Sequence, residues 1–213
     1  MNFCLLLILI SGFSWGAKDL VLSTSIYHNN EEIFHSHPES LAMTIVYGPV
    51  KKLRDQIEKE LGNKLEYFKE WDTNGEAHIT VVTPVEFSDV LQSKLSIKEI
   101  EAIAERYDLQ DSRLSILGLG SAEIQIDGKK EQTYFLIIDS QGLRNIRQQI
   151  FYEFARRGGS RGSFDPTWYF PHITIGYTKR DLHESDGILK NLKHSLDNRF
   201  GLVFKNETNS AQK

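Results

Sequence analysis

Cysteine is nearly absent from this 213-residue chain: its one copy, Cys4, lies in an N-terminal apolar run. A chain that loses that run on maturation has no internal disulfide, no thiolate metal site and no cysteine nucleophile. An excess of basic charge is lacking too. There are 25 Lys and Arg against 29 Asp and Glu, a formal net charge of −4 and a pI near 6.0. That balance excludes broad, nonspecific adhesion to nucleic acid or anionic membrane. The apolar run itself, Met1 to Ile10, is too short to span a bilayer. Small residues at Ser14 and Gly16 follow it, so residues 1–16 read as a signal peptide cleaved after Gly16 or Ala17, although Lys and Arg are missing ahead of the run. An N-terminal strand or membrane anchor is the alternative. The expectation is a secreted or periplasmic monomer with no stable membrane anchor once the signal is cleaved. Asn206-Glu207-Thr208 is a glycosylation sequon, of consequence only in a eukaryotic secretory pathway.

With 40% hydrophobic and 25% charged residues the rest has the makings of an ordinary globular core. After an N-terminal extension, 17–40, Leu41 to Tyr47 reads as a strand. Gly48-Pro49 then turns into a helix carrying Val50, Leu53, Ile57 and Leu61 on one face, with Gly62 after its end. Leu65 to Trp71 reads as a strand, and Asp72 to Gly75 as a turn. A strand from Ala77 to Val82 follows, ended by Thr83-Pro84. Ser96 and Glu99 form a capping box for a helix to Tyr107. Leu114–Leu119, Ala122–Ile126 and Tyr134–Ile138 suggest a meander with a turn at Asp127-Gly128, and Gly142 to Arg157 a helix ended by Gly158-Gly159. A last strand runs from Pro171 to Tyr177, and 181–213 reads as a C-terminal helix and polar tail.

The tripeptide His-Ile-Thr occurs twice, at His78-Ile79-Thr80 and His172-Ile173-Thr174, each at the head of a strand. Composition alone predicts roughly 0.1 copies of His-hydrophobic-Thr. Alternation in a strand puts the imidazole and the hydroxyl on one face and the isoleucine on the other. From Thr44 to His78 is 78 − 44 = 34 residues, and from Leu136 to His172 is 172 − 136 = 36. Both intervals run strand, helix, connection, motif strand. The shared order predicts an α+β fold of two related lobes, about 41–95 and 110–180 within a domain at 41–180, each supplying one motif to the cleft between them.

Two imidazoles across a cleft suit a reaction in which one proton is taken and another given, as in phosphodiester cleavage. The hydroxyls of Thr80 and Thr174 would meet the non-bridging oxygens where charge gathers. No metal or other cofactor is needed for that chemistry. On these residues the chain resembles the 2H phosphoesterase superfamily, whose signature is two His-hydrophobic-Thr/Ser motifs. The resemblance covers roughly Leu41 to Tyr177 and departs in having Ala77 where proline is often seen. It implies a bilobal α+β fold with antiparallel sheets flanking a central cleft and helices outside. It also implies metal-independent hydrolysis of 2′,3′-cyclic phosphates or 2′,5′-phosphodiesters of a nucleotide or short RNA. His78 and His172 would be the acid–base pair and Thr80 and Thr174 the phosphate-binding pair. The export signal is unusual for RNA-processing members.

Around the second motif, Trp168 and Tyr169 are candidates to stack on a base, and Arg161 to guide a nucleic-acid backbone. Core packing of the aromatic rings is the competing reading. Two functions of other classes stay open: a nucleotide- or RNA-binding module that does not turn over, and a metal hydrolase built on His35 and His37. The second lacks a nearby third ligand in the sequence.

Overall fold

The computed structural model describes residues 16–27, 35–37 and 39–206. The expected signal peptide up to Trp15, Cys4 included, and the last two residues of the sequon lie outside them. In chain order the elements are β1 (Lys18–Ser23), β2 (His35–His37), β3 (Ser40–Ile45), α1 (Tyr47–Leu61) and β4 (Ala77–Val82). Next come α2 (Pro84–Asp89), α3 (Ile97–Arg106), β5 (Ser115–Ile126), β6 (Lys129–Asp139) and α4 (Gln141–Arg156), then β7 (His172–Tyr177), α5 (Leu192–Ser195) and β8 (Phe200–Lys205). The fold is α+β. Two antiparallel sheets, β2-β3-β4 and β5-β6-β7, stand beside a parallel pair, β1-β8. The motif strands β4 and β7 are each at the edge of their sheet, and the two sheets meet along these strands.

The helices start and stop where local chemistry directs. Pro49 lies in the first turn of α1, and Gly62 ends it in a left-handed conformation, donating its N–H to the Glu58 carbonyl at 2.9 Å. Ser96 and Glu99 cap α3 reciprocally. Thr83 and Glu86 do the same for α2. Thus Thr83-Pro84 ends β4 as expected and also starts a helix. The predicted meander is one long hairpin, β5–β6, closed by Asp127 and Gly128, both at positive φ, as a two-residue turn matched to strand twist requires.

Two expectations are corrected. Leu65 to Trp71 does not form a strand; its one ladder contact is a bridge between Glu66 and Tyr177. Beyond 181 the chain forms a 3₁₀ turn at Glu184–Asp186, one short α-helical turn, α5, and then a strand, β8, whose residues Phe200 to Lys205 pair in register with Lys18 to Ser23 of the N-terminal extension. Segments far apart in the sequence are thereby tied into one sheet. Among the described residues no helix is long and apolar enough to cross a membrane.

An internal repeat is visible in register and in helix patterning. Thr44 pairs with His78 and Ala42 with Thr80, while Ile137 pairs with His172 and Phe135 with Thr174. Val50, Leu53, Arg54, Ile57 and Leu61 of α1 match Leu143, Ile146, Arg147, Ile150 and Phe154 of α4, all at the separation 143 − 50 = 93. Each helix touches the motif strand of the other half: α1 meets β7, and α4 meets β4. Gly176 in β7 carries no Cβ where one would come within 3.0 Å of the Glu66 carbonyl and 3.2 Å of Arg54. Arg147, fully buried, donates to the Val81 carbonyl at 2.7 Å and pairs with Glu86 at 2.7 Å. Apolar side chains from both antiparallel sheets, β1, α1, α3 and α4 form one continuous core.

Candidate active site

Alternation along β4 buries Ala77, Ile79 and Val81 and leaves His78 and Thr80 at intermediate exposure on the other face. His78 lies between two aromatic rings, Phe68 at 5.1 Å and Trp71 at 4.7 Å between centroids. Its Nδ1 is buried and has no hydrogen-bond partner among the described residues; Glu76 Oε1 is 3.6 Å away, beyond hydrogen-bond reach but well within ion-pair range. Glu76 also accepts from the backbone N–H groups of Trp71 and Asp72. Burial pushes its pKa up, and His78 with these N–H donors outweighs burial, so the net shift is downward and Glu76 stays a carboxylate. The Thr80 hydroxyl makes no hydrogen bond among the described residues, while the Thr80 carbonyl accepts from the Tyr169 hydroxyl at 3.0 Å.

On β7 the same tripeptide has other neighbours. His172 Nδ1 is 2.8 Å from the Phe170 carbonyl and Nε2 is 3.1 Å from the Lys190 ammonium. A carbonyl only accepts and an ammonium only donates, so the proton sits on Nδ1 and Nε2 offers its lone pair. Lys190 also donates to both oxygens of Asp181, each at 2.8 Å, and this ion pair is buried. Asp181 collects three more donors: the Thr174 hydroxyl at 2.9 Å, the Thr133 hydroxyl at 2.6 Å and the Leu182 N–H at 2.9 Å. Although His172 keeps some surface, dense packing makes burial the largest cause of a strongly lowered pKa, and the Lys190 charge adds to it. Asp181 and the Phe170 carbonyl oppose the shift without reversing it. Asp181 is itself held below the usual carboxylate range, because Lys190 and its hydrogen-bond donors outweigh desolvation.

Of the other residues singled out from the sequence, Trp168 is exposed, packs edge-on against Phe170 and donates its indole N–H to Glu184 at 2.7 Å. Tyr169 is largely buried, with its ring against the Arg147 guanidinium, and it also lines the cavity that opens beside Lys190. Arg161 is exposed on the turn after α4 and makes no hydrogen bond or ion pair among the described residues. His35 and His37 are on β2, with side chains outside the described part. Among the described residues no group of three or more His, Cys, Asp or Glu is placed to hold a metal ion.

Four residues that shape the site escaped sequence reasoning: Glu76 and Trp71 beside His78, and Asp181 and Lys190 beside His172. Glu76 had a signal, since it is two positions before His78 and so shares its face. A cavity of about 310 Å³ opens next to Lys190, with Leu117, Ile137, Phe170 and Leu192 as apolar walls and Arg144, Lys193 and His194 as basic ones.

No curated protein and no solved structure matches the chain significantly. A family model described as Swiss Army Knife, 2H phosphoesterase domain, matches residues 39–183, a span that contains both His-Ile-Thr motifs and ends short of Lys190. Matched over more than half its length, on the strands that carry the paired motifs, the chain belongs to the 2H phosphoesterase family.

Proposed function

We propose that this protein is a metal-independent phosphodiesterase that hydrolyses 2′,3′-cyclic phosphate or 2′,5′-phosphodiester bonds of a nucleotide or short RNA. The observation that carries the reading is the placement of two identical His-Ile-Thr motifs on the edge strands where two sheets meet. One imidazole takes the proton of the attacking water, and the other gives a proton to the departing ribose oxygen. Thr80 points its uncommitted hydroxyl into the same face as His78 and suits a non-bridging oxygen. Thr174 donates to Asp181 in the resting protein, so it serves phosphate only by leaving that carboxylate.

Binding without turnover is the second reading, favoured by one observation: the inward-facing groups of the second motif, His172 Nε2 and Thr174 Oγ1, are already engaged. Incubation with 2′,3′-cyclic nucleotides and 2′,5′-linked dinucleotides in EDTA decides between the two. Product released at an unchanged rate under chelation is the expected result. Loss of activity on chelation would remove the metal-free mechanism, and tight binding with no product would favour the second reading.

A further inference from the structure

Lys190 comes from the segment beyond the matched family span, yet it touches the second motif directly. Its three N–H donors are fully assigned, two to the Asp181 carboxylate and the third to Nε2 of His172. A buried ion pair is seldom more stabilising than apolar side chains of the same volume. Packing alone therefore gives little reason for a lysine here, and the third donor gives a chemical one.

We propose that Lys190 is a positioning residue for the second histidine: its ammonium, anchored by Asp181, holds Nε2 of His172 as a lone pair, so that His172 enters the reaction without a proton. The assignment rests on the phosphodiesterase reading above. Both ring nitrogens are engaged. Phe170 fixes the Nδ1–H tautomer, Phe135 packs edge-on at 5.9 Å, and Lys190 sits over the Phe135 ring at 5.2 Å. The charged and titratable groups that face His172 are Lys190, Asp181 and His183. Because the Lys190 ammonium touches Nε2 itself, an anionic phosphodiester held against His172 would meet this ammonium. Transfer of its third N–H from Nε2 to a non-bridging oxygen frees the nitrogen to accept a proton.

The test is ¹⁵N NMR of the histidine rings through a pH titration of the full chain. In the wild type, His172 should keep the Nδ1–H tautomer and show no titration between about pH 5 and 8, the window in which an unperturbed imidazole changes charge. In Lys190→Met, Asp181 is left uncompensated beside the ring, and His172 should begin to titrate in that window. The acid limb of the kcat/KM profile for a 2′,3′-cyclic nucleotide should then move up by about one pH unit or more. Lys190→Arg, which keeps a charged donor, should behave as the wild type. A wild-type His172 that titrates near its ordinary value, or carries its proton on Nε2, would overturn the assignment without any variant having to fold. So would a folded Lys190→Met whose His172 is unchanged. Absence of turnover in the wild type would defeat the phosphodiesterase reading, while the ring titration still decides what Lys190 does to His172.

Discussion

The same three residues, His-Ile-Thr, stand in two different surroundings. His78 faces a carboxylate, Glu76, from between two aromatic rings, and the Thr80 hydroxyl beside it is uncommitted. His172 faces an ammonium, Lys190, and the Thr174 hydroxyl beside it is bound to Asp181. A sequence motif thus fixes which groups are present on a strand face, while the neighbours folded against that face set the surroundings of each copy. In a reaction that needs one proton acceptor and one donor, two equal imidazoles would compete for both roles. Under the proposed reaction, a carboxylate beside one ring and an ammonium beside the other is the difference that would distinguish them.

Removing those neighbours should affect the two sides unequally. Asp181→Ala strands the Lys190 ammonium in the interior and should cost about 3–5 kcal/mol of stability, measured by denaturant unfolding. A loss below about 1 kcal/mol would mean that the pair is not buried as described. Acid stability comes next. His172 binds a proton less readily folded than unfolded, so below its unfolded value of 6.5 the unfolded chain holds the extra proton. Stability should therefore fall as pH drops below about 6.5, with a limiting slope of about 1.4 kcal/mol per pH unit. His172→Gln should flatten that part of the curve. On the first side, Glu76→Gln keeps an oxygen for the Trp71 and Asp72 N–H groups and should cost only about 1 kcal/mol. If its cost equalled that of Asp181→Ala, the asymmetry would be lost. Tyr169→Phe removes one hydrogen bond, to the Thr80 carbonyl, and should cost about 1 kcal/mol or less in the same assay.

Much of this architecture was legible along the chain because it depends on short spacings. Helical periodicity marked α1 and α4, the capping box at Ser96 and Glu99 marked α3, and period-two alternation set His78 with Thr80 and His172 with Thr174. The rest depends on distant partners or on local signals that admit two meanings. Thr83 and Glu86 carry the same capping signal as Ser96 and Glu99, but Pro84 reads more readily as a stop than as the first residue of a helix. Leu65 to Trp71 has apolar and aromatic residues without a ladder partner beyond Tyr177, so it remains a connection. Phe200, Leu202 and Phe204 alternate as a strand should, yet their partner is β1, nearly the whole chain away. Lys190 reaches His172 only because the segment after β7 folds back over the sheet, and no local spacing announces that return. The packing of Tyr169 against Arg147, which itself donates from α4 to β4, is likewise a long-range contact that no local spacing announces.

The most direct test of the paired-motif account is a double-mutant cycle on kcat/KM for a 2′,3′-cyclic nucleotide, using His78→Ala, His172→Ala and the two combined. Each single change should lower turnover by roughly 10²–10⁴-fold. The double variant should be little worse than the poorer single one, because the two groups act in one displacement. Full activity in either single variant, or losses that simply multiply in the double, would contradict the claim that the two motifs work on one phosphate.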